Sequence, residues 1–127
     1  MSNKVFIQCF VVFCALLVLM SSCSKTDPTV AVIIVKEEVT NDPVNNATVT
    51  LSLDPDLYSG QGQTPIPELN RTKTTDQTGR VEFTYDQEVI LDVNVVKYSG
   101  NDTLQGYGVV KLLAEQSTTK IITIYKD

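Results

Sequence analysis

The chain has 127 residues and a net charge of −5, from 10 basic and 15 acidic side chains. That length suits one domain, and its acidity repels phosphate backbones and anionic lipid heads, which argues against nucleic acid and against polybasic docking to membranes. Histidine is absent. The commonest general base and transition-metal ligand are thereby missing, so no enzyme activity, cofactor or metal site is expected.

Taken in order, the chain opens with Lys4 and then an apolar run, Val5 to Met20, broken only by Gln8. About sixteen residues of helix reach ~24 Å, short of the ~30 Å hydrocarbon core of a bilayer, so the run reads as a signal-peptide core rather than a permanent span. Cys9 and Cys14 fall inside this leader, which leaves Cys23 as the single cysteine beyond it. One thiol can form neither an internal disulfide nor a structural zinc site. Leu19-Met20-Ser21-Ser22-Cys23 resembles the lipobox of bacterial lipoproteins, with Met20 where that pattern prefers leucine. The resemblance implies cleavage after Ser22 and a lipid on Cys23, with two or three acyl chains for stable attachment. Residues 1–22 are then a leader, 23–29 a lipidated tether broken by Pro28, and 30–127 the folded domain. Ser24 is not the aspartate that, in many lipoproteins, retains them at the inner membrane. The resemblance therefore implies the outer membrane, on its periplasmic or its external side.

From Thr29 onward the pattern has period two, with β-branched residues and frequent turns. Val30 to Val39 reads as a first strand, ended by Asn41-Asp42-Pro43. Ala47, Val49, Leu51 and Leu53 alternate with Thr48, Thr50 and Ser52, the pattern of a half-buried strand. Residues 54–70 form a long irregular stretch rich in proline and glycine. A strand resumes at Arg71 to Thr75, and Asp76 to Gly79 makes a turn. Val81, Phe83 and Tyr85 alternate with polar residues, which places Tyr85 in the core. Val89, Leu91, Val93 and Val95 mark a strand whose other side carries Asp92 and Asn94. Thr103 to Leu113 and Thr119 to Tyr125 complete about seven strands. Lys111 to Gln116 has a helical composition but is too short to be stable alone.

Pro43-Val44-Asn45-Asn46-Ala47-Thr48-Val49-Thr50-Leu51 resembles the P-V-x-x-A-x-V-x-L opening of carboxypeptidase regulatory-like, or transthyretin-like, domains. Thr75-Asp76-Gln77-Thr78-Gly79-Arg80-Val81-Glu82-Phe83 is similar to their T-D-x-x-G-x-V-x-F hairpin. Asn46 stands where those domains usually carry a glycine, and the long 54–70 segment departs from their pattern. The resemblance implies an all-β fold, a seven-stranded antiparallel Greek-key β-sandwich, acting as an accessory module in envelope proteins. One hydrolytic branch of the transthyretin-like group relies on histidines, which this chain lacks.

Asp54 and Asp56 suit either a turn or part of a calcium site. Tyr58, Gln61 and Gln63 have the composition of an adaptable binding loop and are the candidate contact residues, the alternative being a mobile insertion. Asp102-Thr103-Leu104 resembles a short O-glycosylation signal of some envelope proteins, with Thr103 as its acceptor. The functional expectation is a non-enzymatic, membrane-anchored binding or accessory module for protein or glycan partners. The alternative is a structural subunit of a surface assembly that pairs through an edge strand.

Overall fold

The computed structural model describes residues 2–18, 25–53 and 67–126. Cys23, Asp54, Asp56, Tyr58, Gln61 and Gln63 lie outside the described residues. The apolar N-terminal run forms one helix, α1, Ser2–Val18. No described helix is long and apolar enough to cross a membrane.

Seven strands follow among the described residues: β1 Thr29–Glu37, β2 Thr48–Ser52, β3 Arg71–Thr74, β4 Arg80–Tyr85, β5 Val89–Ser99, β6 Asp102–Leu112 and β7 Ser117–Lys126. Their order across the sheet is β3-β2-β5-β6-β7-β1-β4. The strand count and most positions agree with the period-two reading. The first strand stops at Glu37, because residues 38–40 turn the chain back. The helical composition at Lys111 to Gln116 is overridden: Lys111 and Leu112 belong to β6, and Gln116 N–H closes a turn onto the Leu113 carbonyl (3.3 Å).

The topology departs from the expected antiparallel Greek-key sandwich in two ways. First, β1 and β7 run parallel, from Val30 beside Ser117 to Glu37 beside Ile124. Second, the layers β3-β2-β5-β6 and β7-β1-β4 are one folded sheet. They are joined where β6 meets β7 at Leu104–Lys126 and Gln105–Tyr125, and the sheet nearly closes into a barrel at β3 and β4.

The inward positions fill one core. Ala31, Ile33 and Val35 of β1 meet Val49 and Leu51 of β2, Phe83 and Tyr85 of β4, and Leu91, Val93 and Val95 of β5. β3 is the exception, since it has no apolar residue. Its inward positions are Arg71 and Lys73, paired with Leu51 and Val49. These two side chains close the gap to β4. The Arg71 guanidinium lies 4.5 Å from the Tyr85 ring centre and donates to the Thr84 carbonyl. Lys73 Nζ lies 5.4 Å from the Phe83 ring centre and donates to the Glu82 carbonyl at 2.8 Å. Long aliphatic stems thus cover the aromatic rings while the charged heads satisfy carbonyls at the neighbouring edge. Tyr85 is buried, its hydroxyl donates to the Leu69 carbonyl at 3.1 Å, and desolvation raises its pKa against the opposing effect of Arg71.

The two sequence segments that carry the family resemblance meet at one junction. The buried Thr75 hydroxyl donates to the Val44 carbonyl (2.6 Å) and accepts from Ala47 N–H (3.0 Å). Thr75 N–H donates to the Ala47 carbonyl (2.9 Å), and Asn46 N–H to the Thr75 carbonyl (3.1 Å). Asp76 Oδ1 accepts from Thr78 N–H (2.8 Å), the Thr78 hydroxyl (2.6 Å) and Arg80 N–H (3.0 Å). These bonds, led by the Thr78 hydroxyl, lower the Asp76 pKa. Gly79 has φ +71°, and a Cβ there would lie 2.7 Å from the Val35 carbonyl oxygen. Asn46 also has positive φ, +50°. Asparagine tolerates that region better than other residues with a Cβ, so it can occupy a position where the related pattern uses glycine.

Two outcomes follow at this junction. Asn46→Gly should match or exceed the wild-type urea midpoint, whereas Asn46→Val should lose about 1–2 kcal/mol; equal midpoints for both would show that the φ of residue 46 is not limiting. The stabilisation that Asp76 gives should be complete above the ordinary carboxylate pKa and lost as pH falls through its depressed folded-state value. Asp76→Asn should therefore melt lower than wild type at neutral pH, and the two curves should converge in acid. A gap that stays constant into acid would contradict this assignment.

Candidate functional site

The outward side of the β3-β2-β5-β6 layer is open and mostly polar. Cross-strand register arranges its side chains in rows. One row runs Thr72–Thr50–Asn94–Tyr107. The next towards the β1 start is Ser52–Asp92–Val109, and on the other side lies Thr74–Thr48–Val96–Gln105. These residues face outward because their neighbours in each strand, such as Val49, Leu51, Val93 and Val95, are held by the core.

Several contacts organise this face. The Thr50 and Thr72 hydroxyls share a hydrogen bond of 3.1 Å. The Tyr107 hydroxyl donates to Gln105 Oε1 at 2.7 Å, which leans the ring along β6 while the residue stays 61% exposed. Ser52, Asp92, Asn94, Tyr107 and Val109 line a shallow open depression of about 470 Å³. An exposed aromatic ring among hydroxyl, amide and carboxylate groups can stack on the apolar side of a sugar ring and exchange hydrogen bonds with its hydroxyls. Among the described residues no group of three or more Asp, Glu, Cys or His is placed to hold a metal ion.

Tyr107 owes its setting to the glycines on either side. A Cβ on Gly106 would lie 2.6 Å from the Thr123 carbonyl oxygen, and one on Gly108 would lie 2.4 Å from Ile122 Cδ1. The β7 isoleucines thus occupy the space that inward side chains of β6 would fill. The sheet turns over at this crossing, and Tyr107 is left on its outer rim.

The residues singled out in the sequence are distributed unevenly. Tyr58, Gln61 and Gln63 lie outside the described residues, as does Cys23. The flanks of the 54–66 stretch are tied together, since Leu53 N–H donates to Asn70 Oδ1 at 3.2 Å. That base lies at the same end of the domain as the start of β1, because Thr29 pairs with Tyr85, whose hydroxyl reaches Leu69. Thr103 is half-buried opposite Tyr98, remote from the Asp92 row. Alternation in β5 already set Asp92 and Asn94 on one side of that strand. Tyr107 carried no such signal, because Gly106 and Gly108 interrupt the alternation in β6.

No protein-family model matches the chain, and no curated protein matches it. In structure it is similar to a Pseudomonas aeruginosa protein whose crystal structure is described as that of a "putative carbohydrate binding protein". Identity is 12%, the TM-score is 0.45, and the match covers 80% of this chain and 92% of that one. A likeness this loose transfers no ligand.

The glycine crossing can be tested directly. Gly106→Ala meets a backbone oxygen and should destabilise by about 1–3 kcal/mol. Gly108→Ala meets only a side-chain tip that can rotate, so it should cost less. Thermal melting of both variants checks the order, and the reverse order would refute the crossing geometry.

Proposed function

We propose that this chain is a non-enzymatic lipoprotein of the bacterial cell envelope, lipidated on Cys23 and held at the outer membrane. Its β domain, of the carboxypeptidase regulatory-like kind, is a binding module. The outward face around Asp92, Asn94 and Tyr107 is its contact surface for a polyhydroxylated ligand. The lipobox resemblance supports the anchor. The observation that carries the binding role is the exposed Tyr107 ring beside an open depression lined by Ser52, Asp92 and Asn94. The lack of histidine supports a binding role over catalysis.

The short tether bears on how that face is displayed. Extended chain spans at most about 3.6 Å per residue, so Cys23 to Thr29 reaches only about 20 Å. The start of β1 and the base of the 54–66 stretch would then lie close to the membrane, with the outward face standing beside them. Pairing through an edge strand is the weaker reading. The outermost strands, β3 and β4, are bridged by Arg71 and Lys73, and β3 has only four residues.

Two measurements on the full chain test the proposal. Cys23→Ala should abolish lipid labelling and leave the protein either released from membranes or with its leader uncleaved; labelling that persists in the variant would reject Cys23 as the anchor. On a glycan array, the detergent-purified protein should be retained, and Tyr107→Ala should weaken retention about tenfold with its melting temperature unchanged. Full retention by the variant would move the site elsewhere.

A further inference from the structure

The row Thr72–Thr50–Asn94–Tyr107 crosses four adjacent strands without an apolar residue. Its neighbours are interrupted, by Val109 in one and by Val96 in the other. Lines drawn along β5 and β6 are also interrupted, whereas the outward residues of β2 (Thr48, Thr50, Ser52) and β3 (Thr72, Thr74) stay polar along short strands. On β5 the outward residues run Ile90, Asp92, Asn94, Val96, Tyr98, and on β6 Val109 follows Tyr107. The polar track that reaches all four strands therefore runs across them. Its steps equal the strand spacing of ~4.8 Å, comparable with the advance per sugar of an extended β-linked pyranose chain.

Resting on the binding role proposed above, we infer that the ligand is a linear, uncharged, β-linked glycan lying across the strands along this row. Tyr107 stacks on one sugar at the β6 end, where the sheet turns over. Asn94 supplies amide donor and acceptor groups to the next. The Thr50–Thr72 hydroxyl pair, with one O–H engaged in their mutual bond, supplies its other O–H and its free lone pairs to the sugars beyond, at the β3 edge. Four strands give room for about four sugars, and the track ends there. The chain's net charge of −5, with Asp92 beside the row, disfavours glycans bearing carboxylates or sulfates.

The test uses the full chain in detergent with linear cello- and chito-oligosaccharides of about two to six units as probes. Affinity should climb with length up to about four units and then level off. Thr72→Val should weaken the tetrasaccharide about three- to tenfold and leave the disaccharide unchanged, while Thr72→Ser restores wild-type behaviour. Thr74→Val, on the same strand but in the neighbouring row, should bind as wild type. Length-independent binding that still needs Tyr107, or equal losses for Thr72→Val and Thr74→Val, would overturn the cross-strand track while leaving the face as a binding surface. If neither series binds at any length, the glycan track falls; if the glycan array is silent as well, the binding role falls with it.

Discussion

The Thr75 hydroxyl is the contact on which the rest of this fold depends. It accepts from Ala47 N–H and donates to the Val44 carbonyl, both on the segment entering β2, so that segment cannot move independently of the turn entering β4. Removing such a partner would leave a buried amide and a part-buried carbonyl unsatisfied, a cost of about 1–3 kcal/mol for the amide and less for the carbonyl, which water can reach. Gly79 extends the lock to β1, because its carbonyl accepts from Val35 N–H at 2.8 Å and Val44 N–H in turn reaches the Val35 carbonyl at 3.0 Å. Three strands that are distant in sequence are thus registered by a few short-range bonds at one end of the domain.

Along the seam between β3 and β4, which runs on from this junction, closure is achieved by side chains instead of a backbone ladder. Arg71 and Lys73 point inward at the edge, where charged residues also discourage other strands from pairing. This arrangement leaves β3 short and polar, yet keeps it attached to both layers. It also sets Thr72 and Thr74 outward, on the face with Thr48 and Thr50. The same alternation that closes the seam therefore supplies the polar rows of the candidate site.

Much of this was legible from alternation alone. β2, β4 and β5 show one apolar side each, and Tyr85 is in phase with Val81 and Phe83 and is buried with them. The parallel partnership of β1 and β7 was not legible. Its trace is that β1 is apolar on both sides: Val32 is 2% exposed although it lies outside the main core. A run apolar on both sides fits a central strand, but it does not say which strands flank it. The site was half visible for a related reason. Asp92 and Asn94 declare a polar side of β5, whereas the rows they belong to exist only once register with β2 and β6 is set. Tyr107 was masked by glycines whose role, making room for Ile122 and Ile124, requires β7 to be in place.

The parallel β1–β7 pair has a mechanical meaning. Chain enters β1 at one end of the pair and leaves β7 at the other. A pull between the residues leading into Thr29 and those following Lys126 therefore runs along the strands in opposite directions. It loads the register from Val30–Ser117 to Glu37–Ile124 in shear, so its bonds share the force and do not open one after another like a zipper. A domain tethered at one end and gripped at the other would meet tension with the ladder that joins its two terminal strands, and would hold until that ladder slipped as a unit.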